Sequence, residues 1–407
     1  MQYVVRKGDT LTKIANRFGI GVCALSAVNP SLGRCLYVMP GQVLNVPEGV
    51  MLYEAQSGDT LYCIAQAFNV SLEELRTANP AYMPWKEDTL IATGASFIIP
   101  RGCKEQIVRT NEEYTPYDLI RDIAALKKRY PFLEVETIGY SVMGQPLYAI
   151  RLGRGPHEVF YSGAWHANEW ITASVLMKFI EETADSYMHK GTLGGYHIEE
   201  IWRRFSIWIV PMVNPDGIEL SVLGIHPSHP YYQDVLAINH GSRSFVGWTA
   251  NVRGVDLNHQ WPALWEEEAQ TSPIVPSPRH YGGIKPLSEP ETRAIYDFTM
   301  RHDFLGVLAY HAQGQVIFWG FQHMEPAGSE DIVRRMQRVS TYTPIHTADS
   351  FAGYKDWFIQ QYRRPGYTVE VGIGVNPVPL AQFDSIYSQN LGILLEAPLL
   401  FERYMHG

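Results

Sequence analysis

The sequence predicts an α/β protein: a mixed central sheet flanked by helices, preceded by two small modules of strand–helix–helix–strand form. Three observations carry this expectation. From about residue 108 onward, short apolar strand patterns alternate with helical ones. The first hundred residues repeat themselves at an offset of 50. The polar residues that stand out in the larger part follow the carboxyl ends of its strands, where sheets of this kind place their sites.

Composition narrows the class. At 407 residues the chain exceeds one ordinary domain, and 46% apolar against 18% charged residues suits packed cores rather than disorder. No apolar run reaches the roughly 20 residues a membrane span needs. Arg6, Lys7, Asp9, Lys13 and Arg17 interrupt the start, so no secretory signal is expected. The net charge of −9 is uneven: residues 1–104 hold nine basic against eight acidic side chains, residues 105–407 hold 24 against 34. That balance excludes nucleic acid as a partner, because phosphate binding rests on Lys and Arg. Cys23, Cys35, Cys63 and Cys103 all lie in the first part, two in each half of it. Two disulfides or four thiols both fit; no Cys-x-x-Cys pair points to a metal.

The first module begins with a strand at Val4-Val5. Thr10 caps a helix whose apolar spacing is Leu11, Ile14, Ala15 and Phe18. A second short helix covers Cys23–Val28 and stops at Asn29-Pro30, and Val43–Val46 closes the unit. The second copy reproduces Gly8-Asp9-Thr10-Leu11 as Gly58-Asp59-Thr60-Leu61, Ile14-Ala15 as Ile64-Ala65, and Asn29-Pro30 as Asn79-Pro80. Tyr3, Phe18 and Leu25 return as Tyr53, Phe68 and Leu75. These elements resemble the LysM module, with boundaries at 2–48 and 52–101. The resemblance implies binding to peptidoglycan glycan containing N-acetylglucosamine, and near-zero charge suits a neutral sugar backbone. Residues 100–104 read as a short linker.

In the larger part, 108–407, Val159–Gly163 reads as a strand followed by a helix over Ile171–Met188. Phe205–Val213 is a second strand, rich in β-branched and aromatic residues. Glu266-Glu267-Glu268 reads as a solvated helix face. Ser288 and Glu291 have capping-box spacing, with Pro290 early in a helix that runs to about Arg301. Phe304–Tyr310, Val316–Trp319 and Tyr367–Val371 complete the central strands.

His166-Ala-Asn-Glu169 stands where the first of these strands turns into its helix. A histidine and a carboxylate three residues apart at such a turn can hold two corners of one zinc ion, whose catalytic sites take three protein ligands and leave one position open. His311 closes another strand and Glu370 sits near the end of a third. Alone, His311 could be a buried histidine with its bonds met, and Glu370 a carboxylate on an exposed face. The flanks of Glu370 read as a buried strand, however, and a buried carboxylate needs a metal or a proton to move.

Together with Pro211-Met-Val-Asn-Pro-Asp-Gly217, Arg253-Gly-Val-Asp-Leu-Asn258, Tyr310-His311, Asp356-Trp357 and Thr368-Val-Glu370, these residues resemble the zinc carboxypeptidase family, peptidase family M14, over 108–407. The resemblance implies one Zn2+ held by His166, Glu169 and His311. It implies Glu370 as general base, Asp256 as the partner that fixes a ligand histidine, and Asn258 as a contact to substrate carboxylate. Arg253, or in its place Arg243, would polarise the scissile carbonyl. This chain has His259 where the family has an arginine that grips a C-terminal carboxylate, so a shorter and less strongly charged contact is expected there. The family's mobile-loop tyrosine falls near Ala348, with Tyr354 a weak substitute.

LysM repeats joined to this peptidase type, and the stretch 370–377, are similar to the γ-D-glutamyl-L-diamino acid endopeptidases. The similarity implies a zinc metallopeptidase that cuts the γ-D-glutamyl–diamino acid bond of peptidoglycan stem peptides. It would be made in the cytoplasm and associate with wall or spore layers after release, without membrane insertion. A zinc carboxypeptidase of other wall peptides, and a non-catalytic wall or spore-layer protein, are the alternatives.

Overall fold

The computed structural model describes residues 106–347 and 350–405. Within the first 105 it describes 2–5, 10–11, 14, 29, 38–39, 41–45, 50–56, 58–67, 72, 75–76, 79, 82 and 85–100. The chain forms two compact units, Met1–Gln106 and Ile107–Gly407. No helix among the described residues is long and apolar enough to cross a membrane.

In the first unit, β1 (Gln2–Val4) pairs antiparallel with β2 (Val43–Asn45). Likewise β3 (Val50–Glu54) pairs with β4 (Ser96–Pro100), and α1 (Leu61–Ala67) lies between them in sequence. The repeated asparagine explains itself. Asn29 clamps the backbone of Asn45, accepting from its N–H at 2.7 Å and donating to its carbonyl at 2.6 Å. Asn79 does the same to Ile98, at 2.8 and 2.5 Å. Each side chain thus gives a strand residue's backbone both a donor and an acceptor, as a neighbouring strand would. Asp59 accepts from Tyr53 Oη at 2.6 Å and from the Gln56 N–H at 2.7 Å, while Thr60 Oγ1 accepts the N–H of Cys63 in the first turn of α1. Leu61, Ile64, Leu75, Phe97 and Ile99 make the core of this second copy. The expected helix at 23–28, the linker at 101–104 and Cys23, Cys35 and Cys103 lie outside the described residues; Cys63 is exposed.

The second unit is built on eight strands: β5 (Glu134–Tyr140), β6 (Pro146–Leu152), β7 (His157–Ser162), β10 (Phe205–Val210), β11 (Phe304–Ala312), β12 (Val316–Phe318), β13 (Thr343–Ile345) and β14 (Gly366–Val371). A two-residue hairpin, β8 (Thr192–Leu193) with β9 (Tyr196–His197), stands apart. The order across the sheet is β13-β12-β14-β11-β7-β10-β6-β5. The four central strands β14, β11, β7 and β10 run parallel, and β12, β6 and β5 pair antiparallel outside them. The helices are α2 (Pro116–Arg129), α3 (Ile171–Met188), α4 (Ile198–Arg204), α5 (Pro215–Leu223), α6 (Tyr232–Ile238), α7 (Trp265–Thr271), α8 (Pro290–Met300), α9 (Ser329–Ser340), α10 (Tyr354–Tyr362) and α11 (Phe383–Met405).

The central strands are mostly apolar and bury residues on both faces because both are covered. Val159, Tyr161, Ile207, Ile209, Leu308, Tyr310, Val369 and Val371 join the core beneath α3, α9 and α11. Phe160, Trp208, Val210, Val307 and Ala309 join the opposite core with Phe298 of α8 and Trp357 and Phe358 of α10. The period of two therefore assigns His311, between Tyr310 and Ala312, and Glu370, between Val369 and Val371, to the same face.

Two local expectations need correction. Helix α8 starts at Pro290 as read, but Ser288 makes no capping box: its hydroxyl donates to Gln260 and Glu289, and Glu291 turns inward to accept the Val142 N–H at 3.1 Å. Glu268 is not a solvated residue of its run. It is buried, accepts the Phe351 N–H at 2.7 Å and lies 3.0 Å from His259 Nδ1.

A candidate metal centre at the strand ends

The carboxyl ends of β7, β11 and β14 converge, and the turn from β7 into α3 carries two of the polar residues. That turn is tightly tied. Thr172 Oγ1 accepts the Ala164 N–H at 2.7 Å and donates to the Glu169 carbonyl at 2.9 Å, and the Glu169 N–H bonds the His166 carbonyl. Asn214, from the Pro-Met-Val-Asn-Pro-Asp-Gly stretch, donates to the carbonyls of Trp165, Thr249 and Ala250, joining the turn to the segment that leads to Asp256. On the neighbouring strand, the register pairs His311 with Glu370. Trp165 lies nearly parallel to His311, with ring planes 17° apart.

His166, Glu169 and His311 come together. His166 Nδ1 lies 2.9 Å from Glu169 Oε1, His311 Nδ1 lies 3.2 Å from Glu169 Oε2, and the two Nδ1 atoms are 3.4 Å apart. The other nitrogen of His166, Nε2, faces Asp256 Oδ1 at 3.2 Å. A carboxylate on Nε2 keeps the proton there and leaves the Nδ1 lone pair free to bind.

Zinc fits this arrangement. Two ligand atoms at about 2.1 Å from one tetrahedral ion lie about 3.4 Å apart, close to the spacing of the two Nδ1 atoms. Electrostatics agree. Burial by itself would lower the His166 imidazole, but the carboxylates of Glu169 and Asp256 outweigh it and hold it well above its usual range. Burial would raise Glu169 and Asp256, yet His166 and the other imidazoles pull both down. Burial lowers His311 and keeps it neutral, ready to act as a ligand. Two buried carboxylates facing these rings make a place that favours positive charge, whether a proton or a cation.

The remaining expected residues lie around this cluster in different ways. Glu370 is partly buried beside His311, and burial, followed by the charge of Glu169, raises its carboxyl well above the ordinary range. Asp256 also accepts from the N–H groups of Asn258 and His280 and from Thr249 Oγ1. Asn258 Oδ1 accepts the Tyr354 N–H at 3.2 Å. Burial opposes charge on His259, but Asp256 and Glu268 raise its imidazole overall. Arg253 is exposed and held by Glu289 at 3.5 Å and by the Tyr231 hydroxyl, whereas Arg243 donates to the Tyr232 hydroxyl. Tyr354 is no mobile-loop tyrosine: it is fully buried at the start of α10, bonded to Thr299 and stacked against Trp165. Ala348 lies outside the described residues.

Asn376 is a site residue the sequence reading did not single out. Its Nδ2 donates to Glu169 Oε1 at 3.1 Å and to the carbonyl of Ala312, so it ties the ligand carboxylate to the end of β11. The signal available was its place in the 370–377 stretch, which carries no indication of which side chain points inward.

Comparison with known proteins accords with this geometry. The zinc carboxypeptidase family profile matches residues 119–374, and the LysM domain profile matches 3–47 and 53–84. The chain is 44% identical over 290 residues to the γ-D-glutamyl-L-diamino acid endopeptidase 1 of Lysinibacillus sphaericus, covering 71% of this chain and 73% of that one. It is 34% identical to the uncharacterized protein YqgT of Bacillus subtilis (strain 168), covering 83% and 96%. Among solved structures, bovine thrombin-activatable fibrinolysis inhibitor shares the fold, with a TM-score of 0.54 at 18% identity over 73% of this chain and 99% of that one.

Proposed function

We propose, for a chain that belongs to the zinc carboxypeptidase family and carries LysM domains ahead of its peptidase domain, that it hydrolyses the γ-D-glutamyl–diamino acid bond of peptidoglycan stem peptides. The observation that carries this reading is the joining, in one chain, of two repeats of a wall-binding type to a complete His/Glu/His/Glu set with histidine at the position of the anchoring arginine. The activity named for the Lysinibacillus relative supports the same bond.

His166, Glu169 and His311 would hold the zinc. Zinc supplies a Lewis acid that polarises the scissile carbonyl and brings the pKa of water towards about 7. Glu370 takes the proton of the attacking water and passes it to the leaving nitrogen; its raised carboxyl brings it closer to the pH at which it must do both. Asp256 keeps the His166 proton on Nε2 throughout, and Asn376 keeps Glu169 in place. Arg253 stabilises charge that develops on the carbonyl oxygen. Asn258 and His259, whose charged form Asp256 and Glu268 favour, receive a substrate carboxylate. A diamino acid such as diaminopimelate carries an additional carboxylate and amine, which suits a compact anchor better than a long guanidinium fork.

The LysM repeats would hold the enzyme on strands containing N-acetylglucosamine, raising the local concentration of stem peptides. Association with wall or spore layers after release belongs to the same reading. Digestion of purified tri- and tetrapeptide stems, with products weighed by mass spectrometry, tests it. Release of an L-alanyl-D-glutamate fragment is expected. Removal of C-terminal residues with the γ-bond intact would replace this reading with a carboxypeptidase, and no cleavage by the zinc-loaded chain would leave a binding protein.

A further inference from the structure

We propose that the chain carries a second metal site, for a zinc-like divalent ion, formed by His323, Glu325 and His346 outside the catalytic cluster. One ligand atom from each of the three comes together so that no two are more than 4.8 Å apart. His323 and Glu325 lie on the loop between β12 and α9, and His346 directly follows β13.

Several features build the site. Strands β12 and β13 run parallel, and their pairing continues past their ends: the Trp319 N–H bonds the Ile345 carbonyl and the Gly320 N–H bonds the His346 carbonyl at 2.7 Å. The loop backbone is therefore locked beside His346. A Cβ at Gly320 would sit 2.5 Å from His346 Nε2, so the imidazole occupies its place only because residue 320 has no side chain. Trp319 packs edge-to-face on the His346 ring. Glu325 is oriented by its own backbone contact: Oε2 accepts the Phe321 N–H at 3.0 Å, which turns Oε1 towards His346 Nε2 at 2.6 Å. The His323 ring lies 5.5 Å from the His346 ring at 30°. His323 is exposed and can rotate inward, so the set closes by moving one side chain.

Two imidazoles and a carboxylate are the donor types that zinc takes, with room for water on the open side. The ion would join the loop after β12 to the loop after β13. These loops also wall a pocket of about 350 Å³, where Gly320, Phe321, Gln322 and Thr347 meet Ser350 and Asp356. The clip would stiffen that wall without taking part in chemistry.

The test counts metal on the full chain. Protein stripped with chelator is reloaded with a several-fold excess of zinc, desalted and measured by plasma mass spectrometry. Wild type should hold two zinc ions per chain; His323→Ala and His166→Ala should each hold one. His323→Ala should keep the turnover of wild type on stem peptides, and should lose the part of the zinc-dependent rise in Tm that His166→Ala retains. Glu325→Gln, which keeps an oxygen for the Phe321 amide, should also drop to one ion. One ion on wild type, or two on His323→Ala, would overturn the proposal.

Discussion

Replacing Asp256 with asparagine tests how the ligand set is held. The change is isosteric but removes a charge and one acceptor from a buried carboxylate that faces His166 Nε2 at 3.2 Å, the His280 N–H at 3.1 Å and the Asn258 N–H at 3.1 Å. The new amide has two orientations. With its oxygen towards His166 and Asn258, its NH2 meets the His280 N–H donor head-on and leaves that donor unpaired, costing about 1–3 kcal/mol of stability. With its NH2 towards His166, it forces the proton of that imidazole onto Nδ1, the atom that faces Glu169 and His311. Either way His166 becomes a poorer ligand. Loss of such an oriented partner commonly weakens metal binding about 10–100-fold, or about 1.4–2.7 kcal/mol. Competition against a chromophoric chelator measures the zinc affinity, and thermal unfolding in chelator measures the stability cost separately. Asp256→Asn that binds zinc as tightly as wild type would refute the claim that this carboxylate sets the His166 tautomer.

Two further outcomes follow from the buried ionisable groups. Glu291 is fully buried beside Asp216, and burial, with the charge of Asp216 second, pushes its carboxyl up to about 8 from an ordinary 4.5. The folded state thus holds a proton that the unfolded chain releases. The stabilisation this proton gives is complete below pH 4.5 and is lost as pH rises towards about 8, at roughly 1.4 kcal/mol per pH unit at most. Glu291→Gln should flatten the fall in Tm between pH 6 and 8, in a series of thermal melts; an unchanged slope would place that loss elsewhere. His259→Gln removes an imidazole whose charged form Asp256 and Glu268 favour, so KM for stem tripeptides should rise about 10-fold with kcat little changed, on the ordinary strength of a charge-assisted bond. A fall in kcat at constant KM would instead give His259 a part in the chemistry.

The parts of this fold that could be read from sequence were those where one signal dominates. Helix α3 begins and ends as expected because Ile171–Met188 is apolar on nearly every turn and packs into the larger core. Strand β10 ends at Val210, before the expected Val213, because Pro211 has no N–H to continue the ladder. Edge strand β5 gives no such signal: it is half exposed, with charged and apolar residues mixed. At the site, His166 and Glu169 stood out by their spacing at a strand-to-helix turn, whereas His311 and Glu370, each with an ordinary explanation alone, were assigned roles through the family resemblance. Glu268, Asn376 and Tyr354 were not. Each owes its role to a partner remote in sequence: His259 and Phe351 for Glu268, Glu169 for Asn376, Trp165 and Thr299 for Tyr354.

The central claim is that three side chains hold zinc while Glu370, opposite His311 in the sheet, moves the proton. Zinc content and stem-peptide turnover, measured together on Glu370→Ala and His311→Ala, test it most directly. Glu370→Ala should keep the zinc content of wild type and lose about 10²–10⁴-fold in turnover, as expected for removal of a general base. His311→Ala should lose both the catalytic zinc and the activity. Near-normal turnover by zinc-loaded Glu370→Ala, or full zinc content with activity in His311→Ala, would contradict the account.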